Sequence, residues 1–225
     1  CERFGLRIRP GDGFDVVNIE DDPRYRDFWQ TFHRMGERKG VTEQFAKIEM
    51  RRRLTLVSAM LLHKGEADGM LCGTWASTAT HLQYIDQVIG KRAGVKTFAC
   101  MNGLILPGRQ VFLVDTHVNY DPSAEQIAEI TVLAAEELRR YGIRPKAALL
   151  SHSNFGTSNQ PSALKMRDAL ALLQQQAPWL EVDGEMHGDT ALDASYRAQL
   201  MPHSTLQGEA NLLVLPNIDA ANIAY

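Results

Sequence analysis

Little in this 225-residue sequence supports a secreted, membrane-spanning or nucleic-acid-binding protein. Its three cysteines, Cys1, Cys72 and Cys100, are widely spaced, which argues against a disulfide framework and against a CxxC metal site. No apolar run approaches the ~18 residues of a membrane helix, and no signal segment opens the chain. Lys+Arg 24 against Asp+Glu 27 gives a net charge of -3, so we expect no nucleic-acid or membrane partner. The expected compartment is the cytoplasm.

The composition is that of a globular protein, with 44% hydrophobic and 23% charged residues. This length suffices for one large domain or two small lobes. The sequence opens at Cys1 without an initiator methionine and stops at Tyr225 inside an apolar segment. We therefore expect an excerpt of a longer polypeptide.

In the first part of the chain, residues 1–93, strand and helix patterns alternate. We predict strands at residues 14–19 and 67–74, and helices that begin at Tyr25, at Thr42 and near His81. Cys72 would lie buried in the second strand and serve in packing. The helix from Thr42 is predicted to bury one stripe, formed by Phe45, Ile48, Leu54, Val57 and Leu61.

The second part, residues 94–225, has the pattern of a mostly parallel sheet. Predicted strands lie at residues 97–106, 110–116, 146–151, 179–184 and 210–216. Helices fall between most of them: one is capped by Ser123, and others cover residues 163–176 and 191–201, with a last one opening at 219–225. Such alternation predicts an α/β fold with helices on both faces of the sheet.

The strongest candidate binding site is the polar loop of residues 151–159, SHSNFGTSN, which follows a buried strand and precedes a helix. Ligands of open α/β sheets bind where strands end, and a helix N-terminus presents unpaired N–H groups to anions. The alternative is a capping loop that binds nothing. The predicted ligand-binding residues are Ser151, Ser153, Asn154, Phe155, Gly156, Thr157 and Asn159, joined by Lys165 and Arg167 from the helix that follows.

A second candidate is the acidic segment of residues 183–189, DGEMHGD. Its acids and histidine invite a metal, but the remaining ligands would have to come from elsewhere, so we predict a hydrogen-bonded turn between the lobes and no metal. The sequence has neither GxxxxGK[ST] nor GxSxG, which argues against a nucleotide-hydrolysing loop and against an α/β-hydrolase.

A set of motifs resembles the phosphate acetyltransferase family. They are KGVT at residues 39–42, GEADGMLCG at 65–73, LLSHSNFG at 149–156, VDGEMHGDTAL at 182–192 and GEANLLVLPNIDAANIAY at 208–225. Their order is that of the family, and they span nearly the whole chain. SHSNFGTSNQPS, MHGD and GEAN are more similar to the C-terminal domain of large NADP-dependent malic enzymes.

The resemblance implies a two-lobed α/β/α sandwich of the isocitrate/isopropylmalate dehydrogenase kind, with residues 1–93 in the first lobe and 94–225 in the second. It also implies a homo-oligomer, at least a dimer, attached to an N-terminal malic enzyme domain that uses NADP and a divalent metal (Mg or Mn). This domain itself would hold no cofactor, and acetyl-CoA would be its effector. Asn211, in the GEAN motif, then joins the binding residues.

Two departures from the family suggest that catalysis is lost. Active phosphotransacetylases place an arginine where this chain has Gly36, and another where it has Gln83. Arg34, Arg38 and Arg92 are near but out of register. Arginines in such sites hold a transferred acyl phosphate, and losing one charge-stabilising group costs on the order of a hundredfold in rate. We therefore expect no catalytic residues here and an acetyl-CoA-binding domain that inhibits the malic enzyme. The alternatives are an active phosphate acetyltransferase and a purely structural dimerisation module.

Overall fold

The computed structural model describes residues 2–73 and 75–225. The chain divides into two compact units, Cys1–Gly90 (unit 1) and Lys91–Tyr225 (unit 2). Within the described residues, every helix is too short or too polar to cross a membrane.

Unit 1 is mainly helical. Its elements are strands β1 (Arg9–Pro10) and β2 (Gly13–Phe14), helices α1 (Tyr25–Gly36), α2 (Glu43–Arg52), α3 (Leu54–His63) and α4 (Thr78–Val88), and single 3-10 turns at Glu2–Phe4 and Glu37–Lys39. The predicted helix starts at Tyr25 and Thr42 are confirmed. Thr42 caps α2, because its hydroxyl accepts a hydrogen bond from the Phe45 N–H at 3.2 Å.

Of the predicted buried stripe of the second helix, Val57 is buried and Leu61 is partly buried, but the other three positions are wrong. The chain is extended at Arg53 (φ -116°, ψ 95°), so α2 ends there and α3 begins as a separate helix. This break ends the helical periodicity on which the stripe depended. Phe45 and Ile48 are exposed, and Leu54 is 75% exposed. The residues that are buried in place of these three are Ala46, Met50, Leu56, Ala59 and Met60.

Neither predicted strand of unit 1 forms. Residues 15–18 are irregular beyond the two-residue pairing of β1 with β2, and residues 67–73 are irregular and largely exposed. Thr74 lies outside the described residues. A strand is stable when its backbone groups pair with a neighbouring strand, and no such neighbour lies beside these segments in the described part of unit 1. Cys72 is consequently exposed, not buried.

Unit 2 contains a five-stranded sheet. Its strands are β3 (Met101–Leu106), β4 (Arg109–Val114), β5 (Lys146–Leu150), β6 (Glu181–Met186) and β7 (Leu212–Val214). Their order is β3-β4-β7-β5-β6. β3 and β4 form an antiparallel hairpin, whereas the other neighbours are parallel. The predicted α/β class with a mostly parallel sheet is thus confirmed.

Helices cover both faces of this sheet. They are α5 (Ala124–Arg140), α6 (Pro161–Gln176), α7 (Gly188–Leu192), α8 (Ala194–Leu200) and α9 (Ile218–Ala224). Along β5, Ala147 and Leu149 pack in a core with α5 and α6, whereas Ala148 and Leu150 pack in a second core with α7 and α9. Burial on both faces explains why the strand sequences are continuously apolar.

Local signals set the ends of two helices. Ser123 forms a capping box at α5: its hydroxyl accepts from the Gln126 N–H, and the Gln126 side chain accepts from the Ser123 N–H. The single helix predicted over residues 191–201 is instead two. Asp193 separates α7 from α8 and caps α8, since its carboxylate accepts from the N–H groups of Ser195 and Tyr196 at 2.9 Å.

Candidate functional site

The polar loop of residues 151–159 lies at the carboxyl end of β5, between the strands β7 and β6. The structure therefore places Ser151, Ser153, Asn154, Phe155, Gly156, Thr157 and Asn159 at the sheet edge where α/β proteins bind ligands. Ser153 is buried, whereas Gly156, Thr157 and Asn159 are exposed. Phe155 packs on the core beneath the loop and has a left-handed φ of 48°.

A carboxylate that the sequence reasoning did not assign to this loop holds it in place. Glu185, in β6, is fully buried. Its Oε1 accepts hydrogen bonds from the Ser153 hydroxyl at 2.6 Å and from the Gly156 N–H at 2.9 Å. Its backbone carbonyl accepts from the Phe155 N–H at 2.7 Å. Because the hydroxyl proton of Ser153 goes to Glu185, Thr157 donates to the Ser153 Oγ at 3.1 Å.

Most other donors of the loop also have internal acceptors. The N–H groups of residues 151, 153–158 and 160 all donate within the loop or to β6. The His152 ring lies 3.0 Å from the Ser158 hydroxyl, and the Asn154 side chain bonds to His187. These bonds account for the unusual number of polar residues without requiring a ligand. Ligand binding by these residues therefore stays a prediction.

The two predicted cations of α6 are both engaged. Arg167 donates to the Ser158 carbonyl at 2.9 Å and to the Asn159 side chain at 3.0 Å, and its Nε lies 3.7 Å from Glu185 Oε2. It is therefore part of the loop. Lys165 instead donates to Asp121 at 2.5 Å and to the Pro216 carbonyl at 2.7 Å, which places it beside the end of β7.

Asn211 is not brought together with the loop. Asn211 precedes β7 and lies at the amino ends of the strands, opposite the loop. There its side chain accepts from the Lys146 N–H and donates to the Arg144 carbonyl. Both bonds join the starts of β5 and β7. Asn211 therefore lies away from residues 151–159 in unit 2.

The segment of residues 183–189 is not the predicted turn, because β6 runs through it to Met186. Its acids have separate partners: Asp183 accepts from Ser204 and Thr205, Glu185 from the loop, and Asp189 from Thr190. Within residues 2–73 and 75–225 no three His, Cys, Asp or Glu side chains converge to hold a metal ion.

Asp115, which the sequence analysis also passed over, fills the turn after β4. This buried carboxylate accepts from the N–H groups of Cys100, His117, Val118 and Asn119 at 2.9–3.2 Å. Burial raises the pKa of the Cys100 thiol beside it. An acid placed directly after an apolar strand was the signal that could have identified it. Asp115 and Glu185 therefore each satisfy donors at the carboxyl edge of the sheet.

Unit 1 has a cavity of about 350 Å³, a size at which small ligands bind. The residues that line it include Arg52, Arg53, Cys72, Trp75 and His81. The His81 ring lies 2.7 Å from the Thr55 hydroxyl and 2.5 Å from the Trp75 carbonyl. The sequence analysis did not anticipate this cavity, because it predicted a buried strand for the segment that forms one of its walls.

Position 36, where the family has an arginine and this chain has Gly36, has no room for a side chain. A Cβ built on Gly36 would lie 2.4 Å from Val41 Cγ2 and 2.8 Å from Val41 Cβ. No side chain therefore fits at position 36 unless Val41 moves. Gln83, the second departure, is exposed on α4.

These features define an α/β domain with a polar loop at the carboxyl edge of a doubly wound sheet. The family described as "Phosphate acetyl/butaryl transferase" matches residues 2–225, and the chain belongs to this family.

Among known proteins, the chain is 51% identical to an NAD-dependent malic enzyme of Rhizobium meliloti and 47% identical to an NADP-dependent malic enzyme of Escherichia coli. These matches cover 98% and 100% of this chain but only 29% and 30% of those proteins. A phosphate acetyltransferase of Paracoccus denitrificans is 37% identical over 97% of this chain and 68% of its own length. The resemblance to the C-terminal, phosphate acetyltransferase-like domain of malic enzymes is confirmed.

A solved phosphotransacetylase from Streptococcus pyogenes has the same fold. It superposes with a TM-score of 0.85 at 28% identity, over 99% of this chain and 67% of that one.

Proposed function

We propose that this phosphotransacetylase-like domain is catalytically inactive and regulates a malic enzyme by binding acetyl-CoA as an inhibitor. In this proposal the attached domain decarboxylates malate oxidatively to pyruvate with NADP or NAD and a divalent metal, Mg or Mn. The similarity supports this choice, because identity to the malic enzymes is 47–51% and identity to the phosphate acetyltransferase is 37%. Pyruvate is a source of acetyl-CoA, so such inhibition would be feedback.

The observation that best supports a loss of catalysis is the close packing of Val41 against Gly36. The resemblance places an acyl phosphate-binding arginine at position 36, where Val41 leaves no space even for a Cβ. Gln83 replaces the second arginine, and an amide does not supply the charge or the bidentate geometry of a guanidinium. A domain that lacks both groups can still bind a ligand, but it lacks the charge stabilisation that turnover requires.

Acetyl-CoA binding is proposed for the loop and its neighbours on α6. The residues are Ser151, Ser153, Asn154, Phe155, Gly156, Thr157, Asn159, Lys165 and Arg167. Among them Gly156, Thr157 and Asn159 are exposed, so they would make the direct contacts. For binding to inhibit, acetyl-CoA must have different affinities for two arrangements of the complete protein, with a coupling free energy of about 1–3 kcal/mol.

Calorimetric titration of the complete protein with acetyl-CoA, CoA and acetyl phosphate tests this proposal, together with an assay for acetyl phosphate formation. We expect acetyl-CoA to bind without turnover. Asn159→Ala should weaken binding, whereas Asn18→Ala, in an exposed turn of unit 1, should not. No binding at millimolar acetyl-CoA contradicts the sensor, and acetyl phosphate formation shows an active phosphate acetyltransferase instead.

We also propose that the protein self-associates, at least as a dimer. The edge strand β3 supports this, because Ile105 is 86% exposed and Leu106 is 39% exposed on it. Sedimentation of the complete protein measures its mass. A monomer at micromolar concentration contradicts self-association without affecting the sensor proposal.

A further inference from the structure

An open cavity of about 430 Å³ lies at the amino ends of β5 and β6, at the opposite end of the sheet from the polar loop. Its wall is formed by the end of α5, by the segment that leads into β5 and by the start of β6. Arg139, Arg144, Trp179 and Glu181 are among the residues that line it. Cavities of this size bind small ligands, and this one is separate from the site proposed for acetyl-CoA.

Arg139 is the unusual member of this wall. Its guanidinium lies 4.7 Å from the centre of the Trp179 ring, and Trp179 is 44% exposed. The structure describes all of unit 2, and there the other exposed arginines each lie beside a carboxylate, as Arg140 lies beside Glu137 at 2.9 Å. Arg139 has neither a carboxylate nor a hydrogen bond to the described residues. Its N–H groups are therefore open to an anion.

A second guanidinium is fixed on the same wall. Arg144, whose side chain is exposed, donates to Glu181 Oε2 at 2.9 Å. Glu181 Oε1 accepts from the Gln207 N–H at 2.7 Å, so both carboxylate oxygens are used and Arg144 is held in place. Two guanidiniums against one carboxylate leave the wall with a net positive charge. Because arginines bind phosphate groups through paired hydrogen bonds, this charge suits a phosphate.

We propose that this cavity binds a nucleoside phosphate, with the phosphate held by Arg139 and Arg144 and the base stacked at Trp179. Nucleobases stack on indole rings and on guanidinium planes, and this wall offers both. Such stacking does not select one base, because every base has a flat π face. Acetyl-CoA itself contains an adenosine phosphate, so the ligand is either a free nucleotide or that end of CoA.

The test adds AMP, adenosine or inorganic phosphate to the complete protein. Hydrogen exchange of the peptides that cover residues 139–146 and 177–182 is followed by mass spectrometry. This measurement locates the binding, so a nucleotide site elsewhere in the complete protein does not interfere. We expect AMP to slow exchange of both peptides in a saturable way. Adenosine and phosphate should each need a higher concentration, because each supplies only one of the two interactions.

Two variants of one residue separate charge from stacking. Arg139→Gln should weaken protection by AMP about 10-fold or more, since hydrogen bonds between a guanidinium and a phosphate are lost. Arg139→Lys keeps the charge without the planar group, so it should recover only part of the affinity. The matched control is Arg140→Gln, in the same last turn of α5, because Arg140 pairs with Glu137 and does not line the cavity. It should leave protection by AMP unchanged.

No protection of either peptide at millimolar AMP would overturn the proposal. Equal losses in Arg139→Gln and Arg140→Gln would also overturn it, because the binding would then depend on general charge alone. When AMP protects the cavity, a sample with acetyl-CoA identifies the source of the ligand. Protection of the same two peptides by acetyl-CoA assigns the cavity to the adenosine end of CoA, whereas protection of residues 151–160 alone assigns it to a free nucleotide.

Discussion

Substitution of Gly36 by alanine should destabilise unit 1 through a single steric contact. The new Cβ would lie 2.4 Å from Val41 Cγ2, about 1 Å inside the 3.4 Å at which ordinary contact begins. Val41 has little freedom to move, since its N–H donates to the Gly36 carbonyl at 3.0 Å and its carbonyl accepts from His33 Nδ1 at 2.8 Å. The backbone itself is not the obstacle, because the φ of Gly36 is -114°.

The expected loss follows from two opposing effects. Overpacking a buried contact costs about 1–3 kcal/mol, whereas replacing a glycine by alanine gains about 0.4–1 kcal/mol through the unfolded chain. The net loss of about 1–2 kcal/mol corresponds to a lowering of the melting temperature by about 2–8 °C if the 225 residues unfold together. Gly36→Arg should be at least as destabilising, and it should not produce acetyl phosphate.

Thermal unfolding followed by tryptophan fluorescence measures this effect. Gly69→Ala is the matched control, because a Cβ there meets nothing within 4 Å and the backbone is not left-handed. It should leave the melting temperature unchanged or slightly higher. Val41→Ala should relieve part of the clash, because it removes the contact with Cγ2 at 2.4 Å but keeps the one with Cβ at 2.8 Å. The double variant should therefore lose less than the two single losses together. If Gly36→Ala is as stable as wild type, or if the two changes are additive, the reasoning about position 36 is refuted.

Three further predictions concern stability. Burial of Tyr84, together with the Glu49 carboxylate that accepts from the Tyr84 hydroxyl, raises the pKa of Tyr84 to about 12. The phenol of the unfolded chain has a pKa of about 10, so the free energy of unfolding should fall as the pH rises from one value to the other, and a flat profile there contradicts the assignment. Arg197 is 2% exposed and donates to backbone carbonyls that include those of Thr190 and Ala191. Arg197→Met should lower the free energy of unfolding, measured with denaturant, by about 3 kcal/mol or more, because several buried carbonyls lose their donor. A loss under about 1 kcal/mol would show that water replaces the guanidinium. Ser123→Ala should cost about 1 kcal/mol and Ser123→Asp much less, because only alanine removes the cap of α5; equal losses for both would contradict this.

Much of unit 2 was predictable because its signals are local. The apolar strand at residues 146–150 and the cap at Ser123 are visible in a few consecutive residues. β6 was harder, since Asp183 and Glu185 make its second half resemble a turn. Their burial depends on Ser204 and Ser153, which lie 21 and 32 residues away. No local pattern reports such partners.

In unit 1 the errors came from the break at Arg53 and from strands without neighbours. Arg53 is neither glycine nor proline, so nothing in the sequence announces that the helix ends there. The loop of residues 151–159 was found by its position after a strand and by its polarity. Its use of Glu185 was not found, because the same polar residues fit an external anion and an internal carboxylate equally well.

The central claim is tested most directly by malate-dependent reduction of NADP or NAD in the complete protein, with and without acetyl-CoA. We expect the rate to fall in a saturable way as acetyl-CoA is added, because acetyl-CoA should bind the inactive arrangement about 5–150-fold more tightly than the active one. We expect no acetyl phosphate in the same samples. An unchanged rate at millimolar acetyl-CoA, or acetyl phosphate produced above the blank, would contradict it.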